Sequence, residues 1–88
     1  MPIISAFYGI AIQMYFDDST QPHTPHFHAL YGGTEAVFDL DGNVIARSFP
    51  KRQTRFVAVW ADIHREELLT LWEVVQRTGD YFKIKGLD

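Results

Sequence analysis

Two dipeptides, Gly32-Gly33 and Asp41-Gly42, restrict most strongly what this chain can fold into. Each is a tight-turn signal between segments of alternating apolar residues, and a two-residue hairpin loop fixes which residues face each other. With Gly32-Gly33 as the loop, Tyr31 pairs with Thr34, Leu30 with Glu35, His28 with Val37 and His26 with Asp39. Continuing through Asp41-Gly42 pairs Asp39 with Val44 and Glu35 with Ser48. Strand side chains alternate between faces, so one face carries His26, His28, Glu35, Asp39 and Ser48. The other carries Phe27, Ala29, Ala36, Phe38 and Ile45, an apolar set that requires helices to cover it. A slip of one residue would invert every assignment, so the reading of the site depends on this register.

The remaining segments fit around that core. Ile10, Ile12, Met14 and Phe16 alternate with Ala11, Gln13 and Tyr15, the period of a half-buried strand. Asp17 to Pro25 is built from turn formers and reads as a loop, and Asn43 to Ser48 reads as the last strand of the meander. Beyond Pro50, which suits a helix start, Phe56, Val57, Trp60, Ile63 and His64 recur at helical spacing, followed by Leu68, Leu71, Trp72 and Val75. Glu67 interrupts the apolar stripe, so a break is expected around His64 to Glu66, with Gly79 ending the helical region. Tyr81 to Ile84 reads as a final short strand. Tyr8, Tyr15, Trp60 and Trp72 fall on the core pattern. The expectation is α+β: an antiparallel four- to five-stranded meander sheet with one or two C-terminal helices packed on one face. It forms a single domain, with residues 1–49 mainly strands, 50–79 helical, and 80–88 a short strand or tail.

Composition removes several function classes. A chain of 88 residues that is 47% apolar, with 7 Phe, 4 Tyr and 2 Trp, can build a core and is not a disordered segment. No window approaches the 18 apolar residues of a membrane helix. The absence of cysteine excludes disulfides and thiolate metal sites. The start Met-Pro-Ile-Ile lacks the basic region of a signal peptide, so a soluble, cytoplasmic protein is expected. Neither a glycine-rich phosphate loop nor a serine nucleophile elbow is present.

Two clusters carry chemistry. The string PHTPHFHA holds His23, His26 and His28, and the register sets Asp39 and Glu35 on the same face as the last two. Two imidazoles with an opposed carboxylate can exchange protons, with His26, His28, Asp39 and Glu35 as the catalytic candidates. They can bind a divalent metal such as zinc through His26, His28 and Asp39. They can also be the wet face of an open sheet, which needs no cofactor. His23 reads as a loop residue and His64 as a hydrogen-bonded core histidine. The second cluster is Arg47, Lys51, Arg52 and Arg55. All eight basic residues follow position 46, and these four crowd a helix start, where the macrodipole disfavours cations. They are candidates for holding an anion, nucleic acid or an acidic partner, unless they pair with Asp62, Glu66 or the acidic first half. The sequence leaves open whether the chain is an enzyme and what its oligomeric state is.

The pieces MPIISAFYGI, MYFDD, PHFHA, YGGTEAVFDLDG and PKRQTRFVAVWADIHREELLTLWE resemble the small prokaryotic proteins grouped as domain of unknown function 4160. By position the resemblance picks out Pro25, His26, Phe27, His28, Glu35, Asp39, His64 and Arg65. It implies a component of a toxin–antitoxin-like two-gene module, encoded beside another small protein, with that protein as partner and RNA or DNA as the eventual target. The competing expectation is a ribonuclease-like phosphodiesterase. In it His26 and His28 act as base and acid, Asp39 orients one of them, and Arg52 or Arg55 holds the phosphate. The loop before Pro25 is longer than the family pattern, and the ending KIKGLD differs from it.

Overall fold

The computed structural model describes residues 2–16 and 24–87. Five strands, β1 (Ile3–Phe7), β2 (Ile10–Gln13), β3 (His26–Tyr31), β4 (Thr34–Asp39) and β5 (Val44–Ala46), form one antiparallel sheet in chain order. Two helices follow, α1 (Lys51–Ile63) and α2 (Arg65–Thr78), separated at His64. Gly79, at φ 80°, ends α2 in the left-handed conformation. The α+β meander with C-terminal helices is therefore the fold, and the break falls where the apolar stripe drifts.

The β3–β4 register agrees with the one derived from Gly32-Gly33 at every pair from His26–Asp39 to Tyr31–Thr34. Phe27 and Phe38 pair across it with stacked rings 5.6 Å apart, and Trp60 of α1 meets Phe27 edge-on at 5.5 Å. Ile4, Ile10, Ile12, Met14, Leu68 and Leu71 complete the buried core. Val57, Trp60 and Ala61 are the buried side of α1, at the spacing that sets one helix stripe on a sheet.

The next hairpin corrects the expectation. Val37 pairs with Ala46, but Phe38 pairs with Val44, so a register shift replaces the expected Asp39–Val44 pair. The turn explains it: Asp39 holds Asn43 and Gly42 through its backbone N–H and C=O, which closes the loop one residue earlier. Val44 packs on the core in place of Ile45, which is exposed. The strand stops at Ala46, because Arg47 adopts φ 65°, so Glu35 and Ser48 do not pair.

Two parts of the chain differ from the sequence reading. The first is β1, joined to β2 through Tyr8 and Gly9 at φ 50° and 79°, the two-positive-φ turn that matches strand twist. Tyr8 is thereby turned outward, 56% exposed rather than in the core, where it packs on Phe56 with ring centroids 5.0 Å apart. The second is the C-terminal segment. Residues 81–84 do not form a strand, but the Ile84 N–H donates to the Ile4 carbonyl at 2.7 Å. The Trp60 indole N–H donates to the Lys85 carbonyl at 2.9 Å. The segment thus lies along the outer edge of β1.

The turn after β4 seats on α1. At Gly42, φ is 89° and an added Cβ would lie 2.8 Å from the Ala58 Cα, whereas at Gly33 it would meet nothing within 4 Å. Asp41 pairs with Arg65 and Leu40 is buried, so the string DLDG fastens the hairpin to the helices. Gly42→Ala should therefore cost about 2 kcal/mol or more in urea denaturation. Gly33→Ala should stay within about 0.5 kcal/mol of wild type. Equal losses at the two positions would contradict this seating.

Candidate functional site

The histidine face is not a wet surface. His26 and His28 are only 1% and 6% exposed, and their ring centroids lie 5.5 Å apart. Burial of a polar ring is costly without a partner, and both rings have one. His28 Nδ1 lies 2.9 Å from Glu35 Oε2, and His26 Nδ1 lies 2.7 Å from the Thr24 carbonyl. A carbonyl and a carboxylate only accept, so in each neutral ring Nδ1 carries the proton and Nε2 the lone pair. Tyr15 lies flat on His28 at 4.2 Å between centroids, and its hydroxyl lies 3.1 Å from Gln13 Oε1. On the other side of His26, Trp72 of α2 packs at 5.2 Å, and Gln76 Nε2 donates to the Tyr15 carbonyl. The cluster is thus built from β2, β3, β4 and α2.

Of the expected carboxylates, Glu35 joins the cluster and Asp39 does not. Asp39 stands opposite His26 in register, but its Oδ1 accepts the backbone N–H groups of Asp41 and Asn43 and its Oδ2 accepts the Asn43 side-chain amide. An Asx turn thus takes its acceptor capacity. The set His26, His28 and Asp39 is accordingly not gathered as metal ligands. Among the described residues no group of three or more His, Asp or Glu is placed to hold a metal ion. His23 lies outside the described residues. Ser48 is exposed, away from the histidines.

His64 caps the break between the helices, with Nδ1 2.5 Å from Glu67 Oε1 and its ring 5.8 Å from that of Trp60. It is hydrogen-bonded as expected, but it sits half-buried at the helix junction rather than in the core, while Arg65 is taken up by Asp41.

The basic cluster lies elsewhere. Arg47, Lys51, Arg52 and Arg55 are all exposed. Among the described residues none of them is in an ion pair, and no acidic residue occupies the first turn of α1. Arg52 lies over the Phe56 ring, 5.7 Å from its centroid. With Tyr8, Tyr31 and Gln53 these two line an open groove of about 480 Å³. Tyr31 alternates on β3 with Phe27 and Ala29, the side that α1 covers, and His26 and His28 point to the other side. The histidine cluster and the basic helix start are therefore on opposite faces of the sheet and do not form one site.

Tyr15, Trp72 and Gln76 are parts of the cluster that sequence reasoning did not assign to it. The β2–β3 pairing of Gln13 with His28 would have placed Tyr15 beside the histidines. The sequence between those strands offers no two-residue turn signal, which left that register unset.

A profile of the family described as domain of unknown function DUF4160 matches residues 9–73, most of the chain, and the protein belongs to that family. The match takes in the histidine string, the seated turn and the helix junction. No curated protein and no solved structure matches. Among the described residues no helix is long and apolar enough to cross a membrane.

The hydrogen bonds fix the state of both rings. In the neutral rings, ¹⁵N spectra should show His26 and His28 as Nδ1–H tautomers, with Glu35→Gln perturbing His28 and Asp39→Asn perturbing neither. An Nε2–H tautomer at either position would contradict the geometry.

Proposed function

We propose that the chain is a partner-binding component of a toxin–antitoxin-like two-gene module that acts on or near nucleic acid. The observation that carries this reading is the start of α1. Four cations stand exposed without an acidic neighbour in the first turn, beside a groove walled by Tyr8, Tyr31 and Phe56. Tyr and Arg dominate the energetics of protein interfaces, and unneutralised cations at a helix start favour an anionic partner. By contrast, the histidines are enclosed by their own fold. The reading also draws on the two-gene setting that the family likeness implies.

Calorimetric titration with the small protein encoded alongside tests it. Wild type should bind, and Arg47→Gln with Lys51→Glu should weaken binding at least tenfold, a loss of about 1.4 kcal/mol. No binding by wild type, or an unchanged constant in the variant, would refute the reading.

One observation favours a second reading, the metal-independent or metal-assisted phosphodiesterase. A histidine with its Nδ1–H held by a carboxylate is the arrangement of a general base. In this reading His28 takes that role with Glu35, not Asp39, as its orienting group, and His26 supplies the acid. A short single-stranded RNA cleaved by wild type and not by His28→Gln would support it, and cleavage that survives in the variant would end it.

A further inference from the structure

The outward side of α1 is not the surface that a solitary helix presents to water. Val59 and Ile63 are 53% and 60% exposed, and the partly buried Phe56 continues the same line. The spacing 56, 59, 63 is three residues and then four, the seam along which one helix packs on another. Two β-branched residues at exposed helix positions contribute nothing to this chain's own core and have modest helix propensity.

The charges around this seam are divided by position. Lys51, Arg52 and Arg55 occupy the first half of α1 with no acidic residue among them. Asp62 closes the second half, and Asp62, Ile63 and Glu66 line one shallow groove at the helix break. Arg65, the only cation lining that groove among the described residues, is engaged by Asp41. The surface is therefore cationic at one end, apolar in the middle and anionic at the other.

The geometry points to a second copy of this chain as the occupant of that surface, with the two α1 helices antiparallel across a two-fold axis near Val59. In that arrangement each Val59 meets its counterpart, and Phe56 lies against the second copy's Ile63. Arg55 and Arg52 reach the second copy's Asp62 and Glu66. A two-fold contact must be self-complementary, each patch matching itself in reverse, and this surface has that property. A parallel pairing would set Arg52 and Arg55 against themselves. The antiparallel pairing also gives the cations at the α1 start negative neighbours, which they lack among the described residues of the first turn of their own helix. Lys51 and Arg47 lie off the seam, so the pairing goes beyond the partner-binding reading without using the two residues that test it.

Sedimentation equilibrium of the full chain, from micromolar to millimolar concentration, decides the matter. Wild type should approach twice its 10.2 kDa mass. Val59→Glu with Ile63→Glu should remain at the monomer mass with an unchanged far-ultraviolet circular dichroism spectrum. Arg52→Glu with Arg55→Glu should also be monomeric, since both halves are then acidic. Adding Asp62→Lys and Glu66→Lys to that pair reverses the pattern and should restore the dimer. A wild type that stays monomeric at millimolar concentration, or that gains mass only with the neighbouring gene's product, would overturn the inference. So would a dimer that survives Val59→Glu with Ile63→Glu, or a reversed-charge variant that fails to associate.

Discussion

The indole of Trp60 is where the parts of this small fold meet. It is fully buried, and its ring lies 5.4 Å from Phe7 of β1, 5.5 Å from Phe27 of β3 and 5.8 Å from His64 at the helix break. Its N–H reaches across to the Lys85 carbonyl and fixes the C-terminal segment on the sheet edge. A buried indole needs such an acceptor, and here the acceptor lies in a segment that is also held by the Ile84 N–H on the Ile4 carbonyl and by the burial of Ile84. Removing a side chain of this size from a core costs roughly 3–5 kcal/mol, a large part of what a domain this small has in reserve. Placing α1 through Trp60 also decides which side of the sheet is covered by helix.

That placement separates the two chemistries. On β3 the even positions His26 and His28 point away from α1 and the odd positions Phe27 and Ala29 point toward it. The histidines are then enclosed by Tyr15, Trp72 and Glu35, each ring with its Nδ1 on an oxygen acceptor. The arginines stay in solvent at the start of α1. A buried polar cluster whose ring Nδ1 atoms are hydrogen-bonded rigidifies a fold, whereas the cationic and aromatic surface at the α1 start is exposed. The family match joins these features in one unit, because residues 9–73 take in both the histidines and the helix start.

Much of this was legible in the sequence wherever a local rule sets geometry. Gly32-Gly33 specified the β3–β4 register, and with it the proximity of His28 to Glu35. The drift of the apolar stripe located the break at His64, and Gly79 the end of α2. What escaped depends on long-range contacts or on a choice between equivalent local options. Asp39 faces His26 by register, yet a short carboxylate beside Asp41 and Asn43 closes its own turn, and pairing rules do not see that competition. Asp41-Gly42 signalled a turn without fixing which residues close it, so Ile45 and Val44 exchanged places. Tyr8 looks like a core residue until β1 is known to precede it. The burial of His26 and His28 comes from Tyr15 and from Trp72, which lies far along the chain, and alternation along one strand carries no record of either.

The central proposal is that contacts with other molecules are made at the α1 side of the sheet while the histidine cluster stays within the fold. An NMR map of backbone amides and histidine rings tests it most directly, recorded as the neighbouring gene's product and then a short single-stranded RNA are added. The account predicts shifts at Tyr8, Tyr31, Lys51 and Arg52, with the rings of His26 and His28 unmoved. Shifts centred on His26, His28 and Glu35, with the α1 start silent, would contradict it and make the enclosed histidines the working site.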